Sequence, residues 1–270
     1  MKKFIAYFDY LGFAQFIENN DQEYQNRIVN NIFRDIEMAL SNRKFKPSKY
    51  GVIADLTDNK INCINFSDTV VFWTDDDSLE SLQNILKVTH AFTWFSIDYS
   101  FPLRGSLVCG ELTTNHFHHT SNNGAIYNTN SVHGKGLVLA YSKAEAQNWA
   151  GAVIDESVIE RIKFLGETPI DVLDEYAIKY KVPYKEDLNL NLDEEFVFRL
   201  FKSGKGKNST TDGMGEFLKN MTQSVVANFG SHNKNTNHPN VKSKIENTVS
   251  FLNFLHDSYL REVDEKTSLG

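Results

Sequence analysis

Two acids in this sequence stand where apolar strands end: Asp9 closes "FIAYFDY", and Asp68 sits in the turn of "INCINFSDTVVFW". An ionised carboxylate removed from water without a partner costs several kcal/mol or changes its protonation state. Taken singly, Asp9 reads as a helix cap before Gly12 and Asp68 as a turn residue, both ordinary roles for Asp. Taken together they read differently. If the first strand and the hairpin are neighbours in one sheet, the two carboxylates converge, repel and raise a pKa unless cations lie between them. Hard divalent cations with oxygen ligands supply that compensation, and Mg²⁺ usually arrives with substrate phosphates.

Other side chains invite weighing against these. Arg104 opens the strand "LRGSLVCGEL", and arginine is rarely buried without an acidic or phosphate partner, so it reads as a base or phosphate contact or as an ion pair. Asn62 and Asn65 lie on the strand before Asp68, where an amide can read a base edge. "HFHH" at 116–119 lies in a polar stretch without a carboxylate at ligand spacing and reads as solvated loop histidines. "KSGKGKN" at 202–208 lacks the spacing of a phosphate loop and reads as a flexible basic loop.

The elements that must position these residues follow from periodicity. A strand over 4–9 precedes one short and one long helix, the latter with Ile28, Ile32, Phe33, Ile36 and Leu40 at helical spacing. Two strands flank Phe66-Ser67-Asp68, and Ser78 caps a helix that ends at Pro102. A strand over 103–112, a long polar loop over 113–136 with room for a short hairpin, a helix from Gly136 and a short strand at 152–155 complete the order β-α-α-β-β-α-β-α-β. That order predicts an α+β fold: a ferredoxin-like split βαβ core, its antiparallel-rich sheet covered by helices on one face. Residues 1–160 form this unit. Residues 161–270 read as a helical C-terminal extension of unknown role, with mobile polar loops at 202–215 and 231–240.

The composition sets the class. Of 270 residues, 41% are hydrophobic and 13% aromatic, enough for a packed core. A formal net charge of −7 gives no general nucleic-acid surface, so direct binding to nucleic acid is not expected. Two cysteines, Cys63 and Cys109, are too few for a disulfide framework. No apolar run reaches the length of a membrane span, and Asp9 interrupts the one basic-then-apolar start, so a cytoplasmic protein is expected.

"FDYLGF" at 8–13, "SDTVVFW" at 67–73, "RGSLVCGEL" at 104–112 and "GKGLVLAYSKAEA" at 134–146 resemble, in order and spacing, the motifs of class III nucleotidyl cyclases. The details are most similar to the bacterial Pycsar pyrimidine cyclases, which make cyclic UMP or cyclic CMP in antiphage defence. The resemblance covers about residues 4–155. It implies that Asp9 and Asp68, with the backbone carbonyl of Tyr10, hold two Mg²⁺ or Mn²⁺ ions per active site. Tyr10, Leu11, Gly12 and Phe13 would present backbone N–H groups to the phosphates at a helix N-terminus. It further implies a homodimer with sites at the subunit interface, a nucleoside triphosphate substrate, and a separate effector that senses the cyclic nucleotide.

Departures from the family pattern sharpen the expectation. The purine-selecting Lys four residues before the second Asp falls on Ile64, and its partner before the last helix falls on Val132, which favours a pyrimidine base or no catalysis; of the pyrimidines, UTP is expected before CTP. The family's transition-state Asn and Arg fall on Leu139 and Lys143; Lys143 keeps a positive charge, and Tyr141 offers a hydroxyl one helical step away. Tyr141 and Lys143 equally fit an ordinary half-buried helix face. The alternative function is a catalytically silent cyclase-like domain that binds nucleotide or a protein partner.

Overall fold

The structure, a computed structural model, describes residues 1–185 and 193–268. Its first strand, β1 (Lys2–Tyr10), is apolar on both faces, and that fixes its place. Phe4, Ala6, Phe8 and Tyr10 enter one core, while Ile5 and Tyr7 enter another. A strand buried on both sides reads as a continuous apolar run and belongs inside a sheet.

After β1 come α1 (Phe13–Glu18), α2 (Gln22–Leu40), a small hairpin of β2 (Phe45–Ser48) and β3 (Gly51–Ala54), and then β4 (Asn62–Phe66) and β5 (Thr69–Trp73). The Asp21 carboxylate caps α2 by accepting from the Tyr24 N–H, and Ile28, Ile32, Ile36 and Ala39 form its buried stripe. Ser78 caps α3 (Leu79–Tyr99), which carries the chain across to β6 (Leu103–Glu111). β5 and β6 flank β1, each antiparallel to it, so they run parallel to one another. This is the split βαβ unit that the element order predicts.

β7 (Thr113–Thr120) and β8 (Ile126–His133) follow, then α4 (Lys135–Glu145) and β9 (Gly151–Ile154), which pairs parallel with β6. Next are α5 (Glu156–Phe164), α6 (Pro169–Leu173), β10 (Ala177–Tyr180), β11 (Glu195–Phe198), α7 (Met214–Gly230) and α8 (Pro239–Ser268). Among the described residues the main sheet has the order β10-β11-β9-β6-β1-β5-β4. The fold is α+β, its sheet mostly antiparallel.

The long helices α2 and α3 cover one face of that sheet. α4 lies on the other, where Ala140 and Ala144 pack on Ile5, Tyr7, Val71, Trp73 and Val108. Its close approach depends on glycine: a Cβ on Gly110 of β6 would come within 2.6 Å of the Gly136 Cα.

Two stretches differ from the sequence expectation. The hairpin within residues 113–136 is longer than the short one expected in a loop, because β7 and β8 pair over eight positions, from Thr113 opposite His133 to Thr120 opposite Ile126. This hairpin is largely polar and exposed, and its few apolar residues do not alternate, so no apolar pattern marks it. The C-terminal part is not purely helical, because β10 and β11 add two short strands beside β9. It shares the main core through Val225, Phe251, Leu252 and Leu255. Trp149, fully buried, stacks on Tyr180 of β10 at 5.6 Å and meets Phe251 of α8 edge-on at 4.7 Å.

Candidate active site

β4 and β5 join through a two-residue turn, Ser67-Asp68, with Phe66 opposite Thr69. Ser67 takes φ 56°, a region that hairpin turns usually reserve for glycine. The turn is tied to the end of β1, where the Tyr10 N–H donates to the Asp68 carbonyl at 3.0 Å. Asp9 lies opposite Thr69, the residue after Asp68. The pairing brings Asp9 and Asp68 to one cleft of about 410 Å³, lined also by Tyr10, Leu11, Gly12 and Phe13.

Arg104 faces Asp9 across the β1–β6 pair. Its Nη2 and Nε lie 2.9 and 3.0 Å from Asp9 Oδ2, and it also grips the Glu145 carboxylate. Of the two readings of Arg104, the ion pair is the one its contacts bear out, although it also lines the cleft. Burial raises the Asp9 carboxyl above its ordinary range; Arg104 opposes this, while Asp68 and Glu145 add to it.

A divalent cation fits these donors. Arg104 engages only Oδ2 of Asp9, and neither Asp9 Oδ1 nor the Asp68 carboxylate has a side-chain or backbone donor among the described residues. Two carboxylates with open oxygens suit a hard ion that completes its shell with phosphate and water.

The backbone expectation needs correction. The Tyr10 N–H is taken by Asp68, and the Leu11 N–H donates to the Pro102 carbonyl at 2.8 Å. Of the four residues expected to offer N–H groups to phosphate, only Gly12 and Phe13 keep theirs without a protein acceptor among the described residues. Gly12, at φ 80°, turns the chain into α1, a helix of six residues.

Other expected site residues lie elsewhere. Asn62 donates to Asp75 at 3.0 Å and Asn65 to the Thr69 carbonyl at 3.0 Å, so both amides tie down their own hairpin outside the cleft. Lys143 is held between Glu195 and Asp155, and Tyr141 stands half exposed on α4 with its ring edge-on to Tyr7 at 5.7 Å. The ordinary helix-face reading accounts for Lys143. The "HFHH" histidines lie on exposed β7, and no group of three or more metal-ligating side chains occurs among the described residues. In "KSGKGKN", Glu262 accepts from the Gly204 N–H and Lys266 donates to the Gly206 carbonyl, so this loop is anchored to α8.

Sequence reasoning missed two cations. Lys234, in the loop before α8, and Lys244, on α8, line the same cleft as Asp9 and Asp68. The polar run "SHNKNTN" gave no signal of this. Instead of forming a mobile loop, it is fastened to the turn between α1 and α2: Asn20 Nδ2 donates to the His232 carbonyl at 2.8 Å, and Asn19 Nδ2 to the Asn233 carbonyl at 2.7 Å.

No protein-family model and no curated protein matches the sequence. Solved structures similar to the fold include the catalytic core of a rhodopsin-guanylyl cyclase with converted specificity in complex with ATPαS. That match has a TM-score of 0.48 at 9% identity and covers 73% of this chain and 95% of that one. The guanylate cyclase domain of RhGC from Catenaria anguillulae in complex with GTP gives 0.46 at 9% identity, covering 73% and 94%. A bacterial light-regulated adenylyl cyclase gives 0.38 at 9% identity, covering 83% and 57%. What this chain's cleft can bind follows from its own residues.

Proposed function

We propose that the chain is a cytoplasmic nucleotidyl cyclase. It converts a pyrimidine nucleoside triphosphate, UTP before CTP, to the 3′,5′-cyclic monophosphate and pyrophosphate. The observation that carries this is the meeting of Asp9 and Asp68 at adjacent strand ends, with open carboxylate oxygens, in a cleft that also holds the free N–H groups of Gly12 and Phe13. The reaction forms a bond from the ribose O3′ to the α-phosphorus and breaks the bond to the bridging oxygen of pyrophosphate; the 3′-hydroxyl gives up its proton to water.

Asp9 and Asp68 would hold two Mg²⁺ or Mn²⁺ ions, with the Tyr10 carbonyl as a further ligand. Such ions, when bound, lower the pKa of the attacking hydroxyl and neutralise the leaving group. Arg104 fixes the rotamer of Asp9, and the Gly12 and Phe13 N–H groups donate to phosphate oxygens. Ile64 and Val132 pack, partly buried, on the core under α4; by the resemblance they stand where a purine-selecting site would place polar groups. The product would signal to a separate effector in antiphage defence.

The active unit is a homodimer with sites at its interface. A lone two-stranded hairpin is marginal in water, yet β7–β8 stands exposed with Phe117, Ile126 and Tyr127 uncovered. Val138, Leu139 and Tyr141 of α4 are exposed as well, and Tyr141 of a second copy is the group that would reach across.

One observation favours the alternative, a silent domain that binds nucleotide without turning it over: Lys143 is neutralised by Glu195 and Asp155, and Leu139 offers no polar atom. Asp9→Asn and Asp68→Asn separate the readings. A cyclase loses turnover and Mn²⁺ binding in both variants while staying folded; a silent module changes neither in a way that depends on metal.

A further inference from the structure

We propose that Lys234, supplied by the C-terminal segment of the same chain, binds the terminal phosphate groups of the substrate. This rests on reading the cleft as a nucleoside triphosphate site. It assigns a role to residues 231–244, which lie beyond the motifs that suggested that reading.

The charges around the cleft lead to it. Arg104, which lines the cleft, is engaged by Asp9 and Glu145. Lys234 and Lys244 make no ion pair with a carboxylate among the described residues, and both line the cleft. Lys234 is only 8% exposed. Lysine is almost never buried to that degree unless paired. Its stem lies across Gly12, where a Cβ would come within 2.9 Å of Lys234 Cδ. Its ammonium sits 4.1 Å from the centre of the Phe101 ring, a contact that offsets only part of the lost hydration. Burial lowers the Lys234 ammonium to about 7, and a bound anion would restore its charge.

The position of this lysine is built. His232 stacks on Phe101 at 5.1 Å and shares a hydrogen bond with the Tyr24 hydroxyl at 2.9 Å. On the other side, the Asn235 N–H donates to Gln15 Oε1 at 3.0 Å. The backbone is thus held just before and just after Lys234, against the helix that follows Gly12. Gly12, Phe13, Lys234 and Lys244 line the same cleft. Donors and cations without carboxylates of their own suit a polyphosphate tail.

The test uses the full chain and inorganic tripolyphosphate as the probe, with binding read by calorimetry. Lys234→Met keeps the stem on Gly12 and removes the charge; its affinity should fall by at least about tenfold, as loss of a charge-assisted contact implies. Lys234→Arg should restore most of it, which a purely structural role would not require. Amine labelling of the wild-type chain, read by mass spectrometry, needs no variant and should show Lys234 protected by tripolyphosphate. Unchanged affinity in Lys234→Met, or labelling of Lys234 indifferent to the probe, would overturn the proposal. So would cyclic product from a chain that does not bind tripolyphosphate. If binding depends on Lys234 but no nucleoside triphosphate is cyclised, the phosphate site stands and the cyclase reading falls.

Discussion

Arg104 Nη2 lies 2.9 Å from Asp9 Oδ2, across the central strand pair and with both side chains largely buried. Removing one partner of such a pair leaves an uncompensated charge. Arg104→Met should destabilise the fold by about 3 kcal/mol in urea unfolding. The double variant with Asp9→Asn should lose less than the sum of the two single changes, since each removes the same interaction. Additive losses would show that the pair is not coupled.

The turn that presents Asp68 carries strain. Ser67 adopts φ 56° at the first position of a two-residue hairpin. Ser67→Gly should raise stability by about 0.5–1 kcal/mol, the scale of the left-handed penalty for a residue with a Cβ. A thermal melt with no rise, or a fall, would mean that the serine hydroxyl is needed there.

Asp35 gives a pH test. Burial raises its carboxyl to about 6, only partly opposed by Ser100, and its Oδ2 has no partner. Because the folded pKa lies above the unfolded one, the folded state holds this proton more tightly. The resulting stability is present below about pH 4 and is lost as pH rises through 6. Asp35→Asn should therefore be more favourable at pH 8 than at pH 4.5, by about 2 kcal/mol. An equal effect at both pH values would contradict the assignment.

The exposed hairpin makes the dimer testable. Phe117 and Tyr127 pack on each other at 5.4 Å, yet both are more than half exposed. Phe117→Ser with Tyr127→Ser should shift the chain from dimer to monomer in light scattering, with little change in helix content. A wild-type chain that is monomeric at high concentration would remove the dimer from the account.

How much of this was legible depends on where each signal lies. β1, β5, β6 and α2 announce themselves through apolar periodicity, and Asp9 and Asp68 stand out because an acid breaks an apolar run. The β7–β8 hairpin is largely polar and its few apolar residues do not alternate, so its pairing leaves no pattern in composition. Lys143 looks like a free cation until Glu195, 52 residues later, is placed beside it. Lys234 is the reverse: it reads as a solvated lysine in a polar loop, and only folding sets it against Gly12 and Phe101. Local pattern reveals where a side chain resides along an element. It does not reveal which distant charge it meets.

The central claim is that Asp9 and Asp68 form a site that cyclises a pyrimidine nucleoside triphosphate. The most direct measurement incubates the full chain with each of the four common ribonucleoside triphosphates and Mn²⁺ and resolves the products by mass. The account expects cyclic UMP, with cyclic CMP second, together with pyrophosphate, and none of these from Asp9→Asn. Cyclic AMP or cyclic GMP as the sole product would contradict the pyrimidine assignment, and no cyclic product from any of the four would contradict the cyclase itself.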